Sequence, residues 1–252
     1  MSDFDRNVAA RGFGAQRAAV IDAGLRAYMI RVYNYMAAGV ALTGVVAWIT
    51  FNAAVVTDAT GRITGLTSFG QAIFSGPLTI VLFLATLGIV FFMSFRIDKL
   101  QPSTALMLFM GYAALLGLML SSVFLAYTGA SITRTFFISA ASFGALSLYG
   151  YTTKRDLSPI GSVLIMGLFG LILAGLVNLF LQSTMMHFII SAVGVLVFAG
   201  LTAYDTQQIK EMYYAGDDGT VAGRKAVMGA LRLYLDFINL FMMLLQLFGD
   251  RR

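Results

Sequence analysis

Seven long apolar segments constrain this chain more than any other feature. They cover residues 28–51, 77–95, 104–127, 133–151, 159–181, 185–204 and 228–248. Each approaches the ~20 apolar residues that a helix needs to cross the hydrocarbon core of a bilayer. Because lipid offers no partner for unpaired backbone groups and the runs do not alternate, helices are favoured over the strands of a β-barrel. The segments therefore predict an all-α polytopic membrane protein with seven transmembrane helices.

Composition agrees with a membrane protein and excludes several kinds of site. Of the 252 residues, 59% are hydrophobic and 12% are charged, whereas a soluble domain carries about 25% charged residues. The chain has no cysteine and a single histidine, His187, which excludes a disulfide framework, a thiol nucleophile and the usual zinc sites. No HExxH motif, P-loop or convincing nucleophilic triad is present, so no enzyme is predicted.

The basic residues predict the orientation of the chain. Residues 1–26 form a polar segment that does not resemble a signal peptide, and residues 27–252 form the membrane domain. Many cations would share the side of the N-terminus, whereas Arg62 and Arg134 lie on the other side. The first group comprises Arg6, Arg11, Arg17, Arg26, Arg31, Arg96, Lys99, Lys154, Arg155, Lys210, Arg224 and Lys225. The positive-inside rule then predicts a cytoplasmic N-terminus, while the side of the C-terminus stays open. Cations scattered between apolar runs are typical of membrane loops, and no nucleic-acid partner is predicted.

Two acidic residues interrupt the apolar segments. Asp205 ends the sixth segment in "FAGLTAYDTQQIK", and Asp236 lies inside the seventh in "LYLDFINLF". A charge at the middle of a membrane helix costs about 2.5–3.5 kcal/mol, so such residues usually mark a functional site. Two plainer interpretations stay open: Asp205 as a solvated acid at a helix end, and Asp236 as part of a hydrogen-bonded packing stripe.

Asp236 belongs to a polar stripe of the last segment. At 100° per residue, the stripe occupies an arc of about 80° and otherwise apolar faces surround it. Its other members are Arg232, Asn239, Met243 and Gln246. We expect this stripe to line a polar cavity or pore. The apolar run after Arg232 spans only about 24 Å, shorter than the ~30 Å core, which predicts a short helix with Asp236 one turn inside.

The two acids are predicted to meet. Asp205 lies at a similar depth on the sixth segment, and the connection 206–231 allows the two helices to be antiparallel neighbours. Two adjoining carboxyls titrate as a unit, and they can share a proton or accept a hard cation. Two acids are a small ligand set for Ca²⁺, so binding would be weak and transient, which suits conduction. Arg96 lies on the same side and can pair with the ionised acids, unless it serves only to set topology.

Three stretches of the chain resemble the Bax inhibitor-1 (transmembrane Bax inhibitor motif) family. They are "AYDTQQIK" (203–210), "ALRLYLDFINLFMMLLQLFG" (230–249) and "LYGYTTKRDLSPIGS" (148–162). The resemblance implies seven helices, six of which surround the last, and a pH-sensitive calcium leak. It also implies that protonation of the Asp205–Asp236 pair controls opening, with Arg96 as the nearest candidate for a basic latch. Gln246 stands where some members carry a basic residue, so a second closing contact of those members is not expected. The polar N-terminus resembles bacterial members, which implies the inner membrane.

Three functions remain in competition at this stage. The leading hypothesis is a pH-sensitive calcium or cation leak channel, with Ca²⁺ and H⁺ as the species bound or moved. A second is a membrane interaction protein that modulates membrane proteolysis or stress signalling, with a membrane protease as partner. A third is a proton-coupled cation transporter. No cofactor other than the ion itself is expected.

Overall fold

The computed structural model consists of helices joined by short connections. It describes residues 22–59 and 62–252 in full and gives residues 3–21 only as the start of the first helix. Most of the predicted polar segment 1–26 therefore lies outside the fully described residues. The helices are α1 (Asp3–Ala54), α2 (Ser68–Phe74), α3 (Pro77–Arg96), α4 (Pro102–Leu120), α5 (Val123–Ala126), α6 (Gly129–Thr152), α7 (Ser158–Leu181), α8 (Thr184–Glu211) and α9 (Gly219–Phe248). Two short strands, β1 (Val55–Thr57) and β2 (Ile63–Leu66), pair as an antiparallel hairpin after α1.

Six of the seven predicted apolar segments are helical throughout, and the third, 104–127, is interrupted by a turn at Ser121 and Ser122. Six helices of the described chain are long and apolar enough to cross a membrane. These six are Asp22–Ala54, Pro77–Lys99, Pro102–Ala126, Ser158–Leu181, Thr184–Glu211 and Gly219–Phe248. Helix α6, which contains the predicted segment 133–151, is not among them. Its serines, threonines and glycines lower its hydropathy, although its 24 residues give it a length of about 36 Å.

Local sequence signals fix where the helices begin. Proline occupies the first turn of α3, α4 and α7, where a missing backbone N–H leaves no helical hydrogen bond unmade. Side-chain oxygens cap three of the other long helices by accepting a backbone N–H of the first turn. The capping residues are Thr128 for α6, Ser183 for α8 and Asp218 for α9.

Helix α9 is the most enclosed of the candidate spans. It packs against α1, α4, α6 and α8, and 67% of its most apolar stretch is buried, against 11% for α7. Large apolar side chains cover the outer faces of the other helices, with Phe95 82% and Phe180 89% exposed. An outward apolar surface of this extent is the surface that lipid covers, so the chain is an integral membrane protein.

Contacts between connections define the two ends of the bundle. At one end, the Arg224 guanidinium donates to the carbonyl oxygens of Leu100 and Asp98, and α8 ends close to the α6–α7 connection. At the other end, Arg134 forms an ion pair with Asp250 at 3.1 Å. The cations predicted to share a side within residues 96–225 thus gather at one end of the bundle, and the C-terminus lies at the other.

Candidate functional site

The structure brings the carboxyl groups of Asp205 and Asp236 together across the α8–α9 contact. The two groups lie within hydrogen-bonding reach of each other. Asp236 is only 5% exposed, and its Oδ2 atom has no hydrogen-bond partner among the described residues. Because an ionised carboxylate can only accept hydrogen bonds, two facing carboxylates need a proton or a cation between them. Chemically, such an arrangement can accept a proton or a small cation.

Both acids lie deeper in their helices than the sequence predicts. Helix α9 begins at Gly219 rather than near residue 228, so Asp236 comes 17 residues, or about 26 Å, after its start. Helix α8 continues to Glu211, which leaves Asp205 six residues from the helix end instead of at the end itself. The predicted short last helix is accordingly a 30-residue helix. The first turns of α9 include the charged residues Arg224 and Lys225, whose side chains bond the neighbouring connections: Arg224 donates to the carbonyl oxygens of Leu100 and Asp98, and Lys225 pairs with Asp217.

Two residues of the polar stripe of α9, Met243 and Gln246, contact α8. The Ser191 hydroxyl of α8 donates to Oε1 of Gln246 at 2.8 Å, and Met243 lies against Gly194 of α8. The Asn239 side chain instead donates to the carbonyl oxygen of Leu235 in its own helix, at 2.8 Å. Part of the stripe therefore packs against α8, with the Asp205–Asp236 contact at another position along it, and a role in lining a pore stays a prediction.

Arg232 is the cation whose charge acts on both acids. It precedes Asp236 by one helical turn and is half-buried. The described residues place no cation within ion-pair distance of either carboxyl. Arg96 is the exposed last residue of α3, and no contact between it and the acids occurs among the described residues. A latch role for Arg96 stays a prediction.

The motif that contains Asp205 docks onto the joint between α6 and α7. The Gln207 side chain donates to the Arg155 carbonyl oxygen and accepts from the Leu157 N–H, both at 2.8 Å. The Lys210 ammonium donates to the Tyr151 carbonyl oxygen at 2.9 Å. A Cβ atom on Gly150 would overlap the backbone of Ala203. The stretches 148–162 and 203–210, which carry the family resemblance, therefore pack against each other. Within 203–210, Asp205 faces α9 instead.

The sequence did not reveal a chain of buried hydroxyl groups beside the acids. The Tyr33 hydroxyl lies 2.7 Å from the Ser147 hydroxyl, which lies 2.8 Å from the Thr206 hydroxyl. Thr206 follows Asp205 directly and donates to the carbonyl oxygen of Thr202. These residues come from α1, α6 and α8, so only the tertiary fold brings them together. A single serine or tyrosine within an apolar segment is too common to be predicted as a functional residue from the sequence.

A second buried hydroxyl pair ties α9 to α1. The Tyr234 hydroxyl, in a side chain with no exposed surface, lies 2.6 Å from the Thr43 hydroxyl. The Thr43 hydroxyl in turn donates to the carbonyl oxygens of Gly39 and Ala113. The Tyr234 ring meets the Phe109 ring edge to face, with 5.4 Å between centroids. This contact fixes the rotation of α9, and with it the direction in which Asp236 points.

Within the described residues, no group of three or more histidine, cysteine, aspartate or glutamate side chains is positioned to hold a metal ion. His187 lies half-buried in the first turn of α8, at the end of the bundle remote from Asp205. The two acids therefore offer a hard cation few ligands, and any bound ion would keep much of its water.

Comparisons with known proteins agree on one family. Residues 25–252 match the family model described as inhibitor of apoptosis-promoting Bax1. The chain is 48% identical to the inner membrane protein YbhL of Escherichia coli strain K12, covering 91% of this chain and 94% of that protein. It is 49% identical to protein RP147 of Rickettsia prowazekii, covering 92% of each chain. A membrane protein of Streptococcus pyogenes, SpyM3_0260, is 38% identical over 90% of this chain and 94% of its own length.

Proposed function

The chain belongs to the Bax inhibitor-1 family, and from that premise we propose that it is a pH-sensitive calcium or cation leak channel of a bacterial inner membrane. The observation that carries the proposal is the contact between the carboxyls of Asp205 and Asp236 inside an apolar bundle. A proton shared by the pair holds α8 and α9 together. Its loss leaves two like charges in contact, which separates the helices or admits a cation.

The proposed topology has seven crossings and a cytoplasmic N-terminus. Helix α6 reaches from Arg134, at the end that holds the C-terminus, to Tyr151, at the end that holds Lys210. It therefore runs the length of the bundle beside α8 and α9 and counts as a seventh span with α9 at the centre. The cluster of cations at one end supports a cytoplasmic location for that end. The name of the relative YbhL supports the inner membrane.

Ca²⁺ flux in liposomes tests the proposal through Asp236→Asn. Asparagine keeps the shape of the side chain but cannot gain or lose a proton in this range. We expect purified wild-type protein to give a Ca²⁺ flux that changes with pH, and the variant to give a flux that does not. Asp205→Asn should behave in the same way, since the pair titrates as a unit.

Asp98→Asn is the matched control. Asp98 is an exposed acid at the end of the bundle where the cations gather, so its removal should leave the pH dependence intact. A flux with the same pH dependence in Asp236→Asn and wild type would contradict the assignment of the pair. If Ca²⁺ flux is coupled to proton counter-transport in a fixed stoichiometry, the protein is a proton-coupled cation transporter and not a leak channel.

One observation favours a second function, a membrane interaction protein that modulates membrane proteolysis or stress signalling. The polar stripe of α9 binds α8 through Ser191 and Gln246, as expected if its role is to hold helices together. The polar N-terminal segment would then be the contact for a membrane protease or other partner. Deletion of residues 1–20 distinguishes the two: loss of a co-purifying membrane protein with unchanged flux supports the interaction role, and changed flux with the partner retained opposes it.

A further inference from the structure

An apolar groove separates α1 from α6. Small side chains face each other across it, Ala37 and Ala41 from α1 and Ala140 and Gly144 from α6, and they leave a volume of about 880 Å³. Phe237 of α9 forms part of its inner wall. Both flanking helices run through the membrane-embedded region, so a gap of this size between them cannot remain empty of solvent or lipid.

The groove is long enough to hold a phospholipid acyl chain. On α1 the lining begins at Arg26 and ends at Ala41, a distance of about 22 Å along the helix. Half of a bilayer, headgroups included, measures about 20–22 Å. At its inner end the groove meets the rings of Phe136 and Phe237, which lie edge to face with 5.7 Å between centroids. Beyond these rings a second apolar cavity continues between the same helices, lined by Thr43, Ala47 and Ile132, so the charge at the outer end, and not the length, selects the occupant.

Positive charge stands at the outer end of the groove. The exposed Arg26 side chain lines it and forms no ion pair or hydrogen bond among the described residues. The Lys210 ammonium lies over the ring of Tyr151, another lining residue, at 5.5 Å from the ring centroid. Basic pockets between membrane helices are a recognised site for anionic lipid headgroups.

We propose that the α1–α6 groove is a binding site for an anionic phospholipid, with one acyl chain in the groove and the headgroup phosphate at Arg26. The lipid comes from the leaflet at the end of the bundle where the cations gather. The site does not depend on titration of the Asp205–Asp236 pair. The acyl chain ends against Phe237, the neighbour of Asp236 in sequence, so the lipid lies beside the pair without touching it.

Photo-crosslinking tests the acyl-chain part of the site. The protein is placed in nanodiscs of phosphatidylcholine with a small fraction of phosphatidylglycerol that carries a diazirine on one acyl chain. We expect crosslinks to concentrate on residues 136–151 and on the facing part of α1. Gly144→Phe places a ring in the groove, and a Cβ at Gly144 meets nothing within 4 Å, so the fold should tolerate it. Crosslinking to the groove should fall at least fivefold in this variant.

Gly170→Phe is the matched control, because a Cβ at Gly170 of the outer helix α7 also meets nothing within 4 Å. It should leave crosslinking of the groove unchanged. Equal crosslinking in both variants and wild type would overturn the site, as would crosslinks spread evenly around the bundle. Crosslinks between two copies of the chain at this groove would also overturn it, in favour of a protein interface.

A lipid competition tests the headgroup part. One cation near a membrane surface contributes about fivefold to binding of an anionic lipid. Arg26→Gln should therefore lower the preference for phosphatidylglycerol over phosphatidylcholine by about that factor, measured by native mass spectrometry of retained lipids. Arg31→Gln changes a cation of the same helix that does not line the groove, and it should have no effect. The same preference in both variants would contradict a role for Arg26.

Discussion

Helices α7 and α9 are both apolar enough to cross a membrane, yet they occupy opposite environments. Only Gly161 of α7 is buried, whereas half of the residues of α9 are buried, including Asp236. The more apolar of the two helices is the one on the outside. In a membrane, lipid solvates apolar side chains as well as the protein interior does, so burial is decided by small residues and by polar groups that need partners. The effect of a substitution on stability should therefore depend on the contacts that the side chain makes and not on its hydropathy.

The largest loss of stability is expected at Gly150, where α6 meets α8. Gly150→Val forces a side chain into the backbone of Ala203, which neither helix can relieve without moving apart. We expect the free energy of unfolding to fall by about 3 kcal/mol, at the top of the usual range for overpacking. Unfolding of the purified protein in mixed micelles by titration with SDS measures the change.

Gly170→Val provides the corresponding change on the lipid-facing helix, where an added side chain meets open space. It should leave the free energy of unfolding within about 0.5 kcal/mol of wild type. Equal losses for Gly150→Val and Gly170→Val would show that the contrast between inner and outer helices does not govern stability.

The next largest effect is expected at Gln207, which holds the α6–α7 joint. Gln207→Leu leaves the Leu157 N–H and the Arg155 carbonyl without their partner. Because unsatisfied buried groups cost about 1–3 kcal/mol each, we expect a loss of roughly 2 kcal/mol and faster hydrogen exchange at residues 153–157. Gln208→Leu is the control, since Gln208 only reaches Glu211 in its own helix at 3.3 Å. Unchanged exchange in Gln207→Leu would contradict this role for the side chain.

A smaller effect is expected at Tyr234, deep in the inner region. Tyr234→Phe removes the hydroxyl that meets Thr43, while Thr43 keeps its carbonyl acceptors. The loss should be about 1 kcal/mol, the usual net value of one hydrogen bond. Tyr149→Phe changes a half-exposed tyrosine of α6 and should be neutral in the same SDS titration. A neutral Tyr234→Phe would mean that ring packing alone fixes the rotation of α9.

The sequence allowed the outer region to be predicted better than the inner one. Length and hydropathy suffice to locate a helix such as α7, because a helix that faces lipid needs only apolar side chains. The spacing of the stripe on α9 also suggested that Asp236 points toward protein. The sequence could not show that α9 starts at Gly219, because Gly219 and Gly223 suggest a loop. In the structure, Pro102 packs against Gly223, and this contact depends on the tertiary fold.

The influence of Arg232 on both acids was not predicted. This half-buried cation precedes Asp236 by one turn, but only the packing of α8 against α9 brings Asp205 within range of its charge. The groove between α1 and α6 could not be predicted at all, since it depends on which small residues of two distant segments face each other.

The smallest effect is expected at Asp156, on the connection that leads into the outer helix. The backbone N–H of Ser158 donates to Asp156 Oδ1 at 2.9 Å, and these hydrogen bonds lower the pKa of this fully exposed carboxyl. A carboxyl with a lowered pKa stabilises the folded state above its unfolded pKa, and the contribution disappears as the pH falls through the folded pKa. Asp156→Asn should therefore reduce the thermal midpoint slightly at neutral pH and not at all in strong acid, where both forms are neutral. A difference from wild type that persists unchanged into acid would mean that Asp156 acts through the shape of its side chain and not through its charge.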